Sequence, residues 1–294
     1  MTRTTLQATS AYYGTRPLLR TSRLVLAAAQ RIAPGLAVRA AQRLFATPLP
    51  PKWLHRRTAW GADWRIERWP FEDASLTLYA RPSAPPGPVA LLVHGWGGHA
   101  AQMLPLAEAL AQQGLSPVLL EMPAHGRSGG RTSNLPQFAR AIEYAAARLQ
   151  QEGQVLRAVV AHSLAANAAA YAASRGLAAQ RLVLLAPPAS PHEYTRLFAQ
   201  VFGLSEAVRA AMQGRIEARE GILMPQFEPR AVGPRIRVPT LVVHDRGDSI
   251  NAFADGQAFA HAVRSGALME TQGLGHRKIL KDAAVLARVA MFAG

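Results

Sequence analysis

The run Val155-Leu156-Arg157-Ala158-Val159-Val160-Ala161-His162-Ser163-Leu164-Ala165-Ala166-Asn167 decides how this chain is read. Residues 155–161 are apolar enough for a buried strand, and the alanine-rich stretch over 164–175 has the composition of a helix. Only His162 and Ser163 stand between them. So sharp a turn exposes the side chain at its apex. It also aims the unpaired N–H groups and the positive dipole end of the helix at that side chain. A serine there is an ordinary helix cap unless a base can take its proton and a carboxylate can orient the base; with both, it is a nucleophile.

Outward from this turn, short apolar runs alternate with helical patterns. Ser75–Arg81 alternates like a half-exposed strand, and Val89–Val93, Pro117–Leu120, Leu182–Ala186, Thr240–His244 and Ala267–Glu270 are short β-rich runs. Helical patterns fall at 99–113, 134–151, 164–175, 253–264 and 281–292. The alternation predicts an α/β fold, with right-handed crossovers and a mostly parallel sheet covered by helices on both faces. Residues 187–238 are too long for a simple crossover. Their partly helical apolar spacing predicts a small cap inserted over the site, which makes the substrate pocket apolar. The blander reading is an ordinary packed insertion.

In open α/β sheets chemistry gathers beyond the carboxyl ends of the strands. Here those ends read His94-Gly95-Trp96-Gly97-Gly98, Glu121-Met122-Pro123-Ala124-His125-Gly126-Arg127-Ser128, Asp245-Arg246-Gly247-Asp248 and Gly273-Leu274-Gly275-His276. Asp248 follows one strand and His276 the next, so the order is Ser, Asp, His, each after a strand. Asp245 is the rival acid, but it lies one residue beyond its apolar run and is suited to capping the turn. Among the other histidines, His94 and His125 are expected to bond locally, His162 to point away from the serine, and His99 to be a candidate pocket residue. His55, His192, His244 and His261 are expected to be structural or superficial.

These five segments together make the chain resemble the α/β-hydrolase fold superfamily over roughly 75–294. With its basic start it is similar to a group of uncharacterised bacterial serine hydrolases. The resemblance implies Ser163 as nucleophile, His276 as general base and then acid, and Asp248 as the orienting carboxylate. It implies an oxyanion hole formed by the backbone N–H groups of Trp96 and Leu164. The Trp96 side chain is read either as lining the acyl pocket or as plain packing. Two departures stand out. The superfamily's elbow is usually Gly-x-Ser-x-Gly, whereas Ala161 and Ala165 occupy both glycine places here. Glu121-Met122 stands where an aspartate is common.

Composition bounds the rest. The chain has 294 residues, 49% hydrophobic and 17% charged, which excludes a disordered chain. It has no cysteine, hence no disulfide, thiolate metal site or cysteine nucleophile. No His/Asp/Glu spacing suggests a catalytic metal, and neither a dinucleotide fingerprint nor a phosphate-binding loop is present, so no cofactor is expected. The net charge is +15, but residues 1–60 hold ten Lys/Arg and no acid, so most of the excess belongs to this arm. Only three of the 33 basic residues are lysines, a pattern of coding bias, and no recognition motif accompanies them. No nucleic-acid partner is therefore expected.

The chain divides into a basic helical arm and linker, 1–59, and a main domain, 60–294. In the arm, Leu18, Leu19, Val25, Leu26, Ala29, Ile32 and Ala33 recur at helical spacing opposite Arg16, Arg20, Arg23 and Arg31. A second helix is expected over 36–46, then an extended linker over 47–51. No run is long enough to span a bilayer, and no signal peptide is recognisable, so a cytoplasmic location is expected. Two readings of the arm stay open: packing on the main domain with a solvated basic face, or contact with an anionic membrane surface, peripheral to an inner membrane. The expected activity is hydrolysis of a small, apolar carboxylic ester or thioester through an acyl-enzyme. The alternative, motivated by the two elbow alanines, is an altered member: an acyltransferase or a non-catalytic binding protein.

Overall fold

The computed structural model describes residues 16–81 and 87–294; Arg3 and the side chains of Arg16, Leu18, Leu19 and Arg20 lie outside the described residues. Helices α1 (Arg16–Ile32) and α2 (Pro34–Phe45) come first, followed by strands β1 (Arg65–Phe71), β2 (Ala74–Ala80) and β3 (Val89–Val93). Then α3 (Leu104–Ala111), β4 (Ser116–Glu121), α4 (Leu135–Gln151), β5 (Leu156–His162), α5 (Leu164–Ser174) and β6 (Arg181–Leu185) alternate. Helices α6 (Pro191–Phe202), α7 (Glu206–Glu220) and the short α8 (Pro229–Val232) fill the long insertion. The chain ends with β7 (Thr240–Asp245), α9 (Phe253–Ala262), β8 (Gly266–Thr271), α10 (Gly275–Lys278) and α11 (Ala283–Ala293).

The eight strands form one sheet in the order β1-β2-β4-β3-β5-β6-β7-β8. The pairs β1–β2 and β2–β4 are antiparallel and all others parallel. Successive strand residues face opposite layers. Leu91, Val93, Val159, Ala161, Leu182 and Leu184 pack with Phe138, Ile142, the alanines of α5 and Phe259. Ala90, Leu92, Ala158, Val160, Val183 and Leu185 pack on the other face with Leu106, Leu110, Val285 and Val289. This is the doubly covered α/β architecture the alternation predicts. The sheet's central strands are apolar through their middles because both of their faces are buried, with polar residues such as Arg157, His162 and Arg181 at their ends.

Two elements differ from expectation. Strand β1 was not expected: it is mostly exposed, pairs only with β2, and contains Pro70, which a sheet tolerates at an edge. The single helix expected over 99–113 starts as a 3-10 turn, Ala100–Met103, before α3. Pro105 has no N–H to bond back one turn, so the regular helix begins around it.

The arm packs on the insertion. Leu26, Val38 and Ala41 are buried with Phe198, Val201, Phe202, Val208, Met212 and Ile216. The Gln30 side chain clamps the α6–α7 turn, donating to the Gly203 carbonyl (3.0 Å) and accepting from the Ser205 N–H (2.9 Å). Val25 and Ile32, expected on the apolar stripe with Leu26, are exposed instead, because the insertion covers only one side of α1. The segments flanking the expected linker are tied to the main domain: Ser133 N–H donates to the Ala46 carbonyl (2.8 Å). Lys52 Nζ donates to the carbonyls of Ser128 (2.9 Å) and Gly130 (2.7 Å). Arg127 holds the same segment from the other side, donating to the carbonyls of Arg56 and Thr58. No helix among the described residues is long and apolar enough to cross a membrane.

Candidate active site

Ser163 stands between β5 and α5 with φ 56° and ψ −126°, a left-handed conformation that costs a non-glycine residue on the order of 1–3 kcal/mol. The surrounding ladder enforces it: the Ser163 N–H still donates to the Leu185 carbonyl of β6 (2.8 Å) while α5 starts at the next residue. Ala161 and Ala165 are both fully buried, one under each arm of the turn. The elbow is thus built with alanine at both positions where glycine is usual.

The three residues singled out from three strand ends meet. His276 Nε2 lies 3.0 Å from Ser163 Oγ, and His276 Nδ1 lies 2.7 Å from Asp248 Oδ2. The Asp248 side chain is fully buried and that of His276 nearly so. Asp248 Oδ1 accepts the N–H groups of Ile250 (2.8 Å) and Asn251 (3.0 Å), which leaves Oδ2 to the imidazole. Burial alone would push the Asp248 carboxyl up, but contacts from His244 and His276 and the Ile250 N–H hold it well below the ordinary carboxylate range. It stays an anion facing a ring N–H, the arrangement that sets the imidazole's tautomer and turns its other nitrogen toward the serine.

Asp245 does other work. Its Oδ1 accepts from the Gly247 N–H (2.8 Å), and its Oδ2 from Thr271 Oγ1 and the Leu274 N–H (both 2.9 Å). It ties the loop after β7 to the loop that carries His276.

Two buried histidines shape the Gly95–Gly98 loop, bonding locally as expected. His94 Nδ1 donates to the Gly95 carbonyl (2.8 Å), and its Nε2 accepts from the Met122 N–H (3.1 Å). His125 Nδ1 donates to the Pro123 carbonyl (2.8 Å), and its Nε2 accepts from the Gly97 N–H (3.0 Å). Burial pushes both imidazoles below the usual histidine value, which keeps them neutral and able to accept. The Gly97 N–H is consumed by this contact. The backbone N–H groups of Trp96 and Leu164 donate to no protein acceptor among the described residues. Buried Glu121 anchors the next turn, accepting from the Ala100 N–H and Tyr79 Oη, both at 2.9 Å. Gly126 is required beside it, because a Cβ there would stand 2.2 Å from the Glu121 carboxyl.

His162 does not simply point away from the site. Its Nε2 donates to the His276 carbonyl (2.9 Å) and its ring lies 4.7 Å from the His276 ring, so it props the histidine from below. Burial, and then the neighbouring His276, lower its pKa to about 3. His99 lines neither cavity at the site and stacks on His55 at 4.1 Å.

Two cavities meet at Trp96. The smaller, about 390 Å³, is lined by Gly95–Gly98, Ser163, His276, Ile250 and Arg277. The larger, about 660 Å³, is lined by Trp96, Leu164, Leu135, Tyr194, Met224 and Phe45 among others and is overwhelmingly apolar. Sequence reasoning missed two contributors. Phe45 reaches the larger cavity from the end of α2, and only tertiary packing could place it there. Asn251 joins the Asp248 loop to the insertion: its amide donates to the Ala186 carbonyl (2.7 Å) and its Oδ1 accepts from Tyr194 Oη (2.5 Å). The signal for Asn251 was present in Asp248-Ser249-Ile250-Asn251, a spacing in which a carboxylate caps its own turn.

A family model described as serine aminopeptidase, S33, matches residues 84–220, which include Trp96 and Ser163 but not Asp248 or His276. Among curated proteins none matches the chain. Solved structures with a similar fold include the esterase Pf2001 of Pyrococcus furiosus, at 18% identity and TM-score 0.64, covering 84% of this chain and 96% of that one. Est1E of Butyrivibrio proteoclasticus, solved with ferulic acid bound, is 20% identical with TM-score 0.62, covering 77% and 97%. The thioesterase domain from the curacin biosynthetic pathway is 20% identical with TM-score 0.55, covering 78% and 99%.

Proposed function

We propose that this chain, which has the α/β-hydrolase fold, is a serine hydrolase of apolar carboxylic esters or thioesters. The observation that carries the reading is the continuous relay from Asp248 through His276 to Ser163, assembled from three separate strand ends.

In this reading Ser163 Oγ attacks the carbonyl carbon as His276 Nε2 takes its proton. The carbonyl oxygen becomes an oxyanion within reach of the Trp96 and Leu164 N–H groups. Collapse breaks the bond to the leaving oxygen or sulfur, which receives the proton from His276, and leaves an acyl group on Ser163. A water then attacks the ester, giving its proton to His276, and the tetrahedral species releases the acid and restores the serine.

Chemistry of the cavities favours an acyl chain over a peptide. No Asp or Glu lines either cavity that meets at Trp96, so the N-terminal ammonium of a peptide has no counter-charge there. An aliphatic or aromatic acyl group, by contrast, gains burial against Trp96, Leu135, Leu164, Met224 and Phe45. The test is a panel of esters and thioesters of graded acyl length, with Ser163→Ala as control and fluorophosphonate labelling alongside. Turnover is expected to fall by on the order of 10⁶-fold in the variant, the scale seen when a hydrolase loses its serine nucleophile. Labelling is expected to vanish with it. Undiminished labelling of Ser163→Ala overturns the assignment, and turnover appearing only when an alcohol acceptor is supplied points to acyl transfer instead.

A further inference from the structure

We propose that α1 and α2 dock the protein on an anionic lipid surface. A helix turns about 100° per residue, so Leu24, Ala28 and Ile32 share one face of α1, with Val25 at its border and Leu26 on the far side. Leu26 is buried against the insertion. Leu24 is 71% exposed, Val25 66%, Ile32 84% and Leu36, at the start of α2, 56%. Four of the ten large apolar side chains exposed in the described structure therefore fall between residues 24 and 36. Apolar side chains exposed so densely within one short stretch of the arm mark a contact surface.

Charge identifies the occupant. Arg31, Arg39 and Arg43 are exposed on the same two helices, and residues 1–62 contain no Asp or Glu. Some exposed or half-exposed arginines elsewhere pair with carboxylates, as Arg140 does with Glu72 and Glu220 and Arg246 with Glu270, while others, such as Arg57, Arg131, Arg215 and Arg264, do not among the described residues; what sets the arm apart is that it contains no acid at all. Arg31, Arg39 and Arg43 have no carboxylate within ion-pair distance among the described residues. A second copy meeting this face with its own would bring the same positive charge to it, and a nucleic acid would leave the leucines and isoleucine uncovered. A bilayer with anionic headgroups satisfies both: phosphates for the guanidiniums, acyl chains for Leu24, Ile32 and Leu36. The same arm supplies Phe45 to the apolar cavity.

The test measures binding and does not depend on turnover. The full-length chain is sedimented with phosphatidylcholine vesicles and with vesicles that also contain phosphatidylglycerol. Binding to the second set only, weakening with added salt, is expected. Combined Arg31→Gln, Arg39→Gln and Arg43→Gln is expected to lower the partition on the order of a hundredfold, about fivefold per arginine near an anionic surface. Combined Ile32→Ser and Leu36→Ser, at exposed positions that leave the melting curve in place, is expected to lower it as well. No sedimentation, equal sedimentation with both vesicle types, or binding untouched by either variant overturns the proposal. So does a concentration-dependent dimer, seen by light scattering, that Ile32→Ser and Leu36→Ser dissolves, since it assigns the face to a second copy.

Discussion

Gly95 lies so close to Ser163 that a Cβ on the glycine would stand 2.8 Å from the serine Cβ and 3.2 Å from the His162 carbonyl oxygen. The loop carrying Trp96 therefore rests its bare backbone on the elbow. In the proposed reaction that contact sets where the Trp96 N–H stands relative to the serine.

Gly95→Ala should consequently act on chemistry. The loop has to lift away from Ser163, and losing one backbone donor to an oxyanion typically costs 10²–10³-fold in kcat. Steady-state kinetics on a good ester should give a fall of about that size, with KM changed much less. An unchanged kcat would mean the Trp96 N–H takes no part.

Asp248→Asn and Asp245→Asn should separate cleanly. The first leaves geometry largely in place but loses the anion beside His276 Nδ1, and should lower kcat by about 10⁴-fold. The second removes a carboxylate that accepts three hydrogen bonds between the two loops, and should lower stability by roughly 1–3 kcal/mol with far less effect on kcat. Paired melting curves and kinetics check both. Exchanged outcomes would make Asp245 the acid.

Acid sensitivity should report on His162. Its pKa is lowered from 6.5 to about 3 by burial and by His276, so in the window between those values the unfolded chain binds a proton that the folded chain does not. Stability therefore falls as pH drops through that window, by about 1.4 kcal/mol per pH unit for one proton. Chemical denaturation of wild type and His162→Gln across pH 6.5 to 4 should show a shallower slope in the variant. Equal slopes would exclude this histidine as the source.

Phe45→Ala should change which acyl chains are preferred. The ring forms part of the apolar cavity and packs edge-on against Phe198 at 5.2 Å. Truncating it enlarges the cavity on the arm's side. The ratio of kcat/KM for long over short acyl esters should rise by about tenfold, a typical value for one or two methylenes in an apolar pocket. An unaltered chain-length profile would exclude the arm from the acyl site.

Much of this was legible in the sequence because the signals were local. The strand–Ser163–helix junction, the glycines of the 95–98 loop and the chain order of Ser163, Asp248 and His276 are each written in contiguous residues. Strand β1 was not, because an exposed edge strand with Pro70 lacks the alternation that marks a half-buried one. The choice of Asp248 over Asp245 rested on spacing alone, and the hydrogen bonds of each carboxylate now separate them.

The sequence by itself determined the layered α/β architecture and the residue types at its strand ends, since periodicity and turn chemistry act over a few residues. Tertiary structure decided how far apart those ends lie, which N–H groups stay unused, and what the arm does. Val25, Leu26 and Ile32 look alike as letters, yet only Leu26 is buried. The insertion that covers it comes from more than 160 residues further along the chain. Which side of an amphipathic helix meets protein and which is left for another surface depends on that distant partner, and no local pattern encodes it.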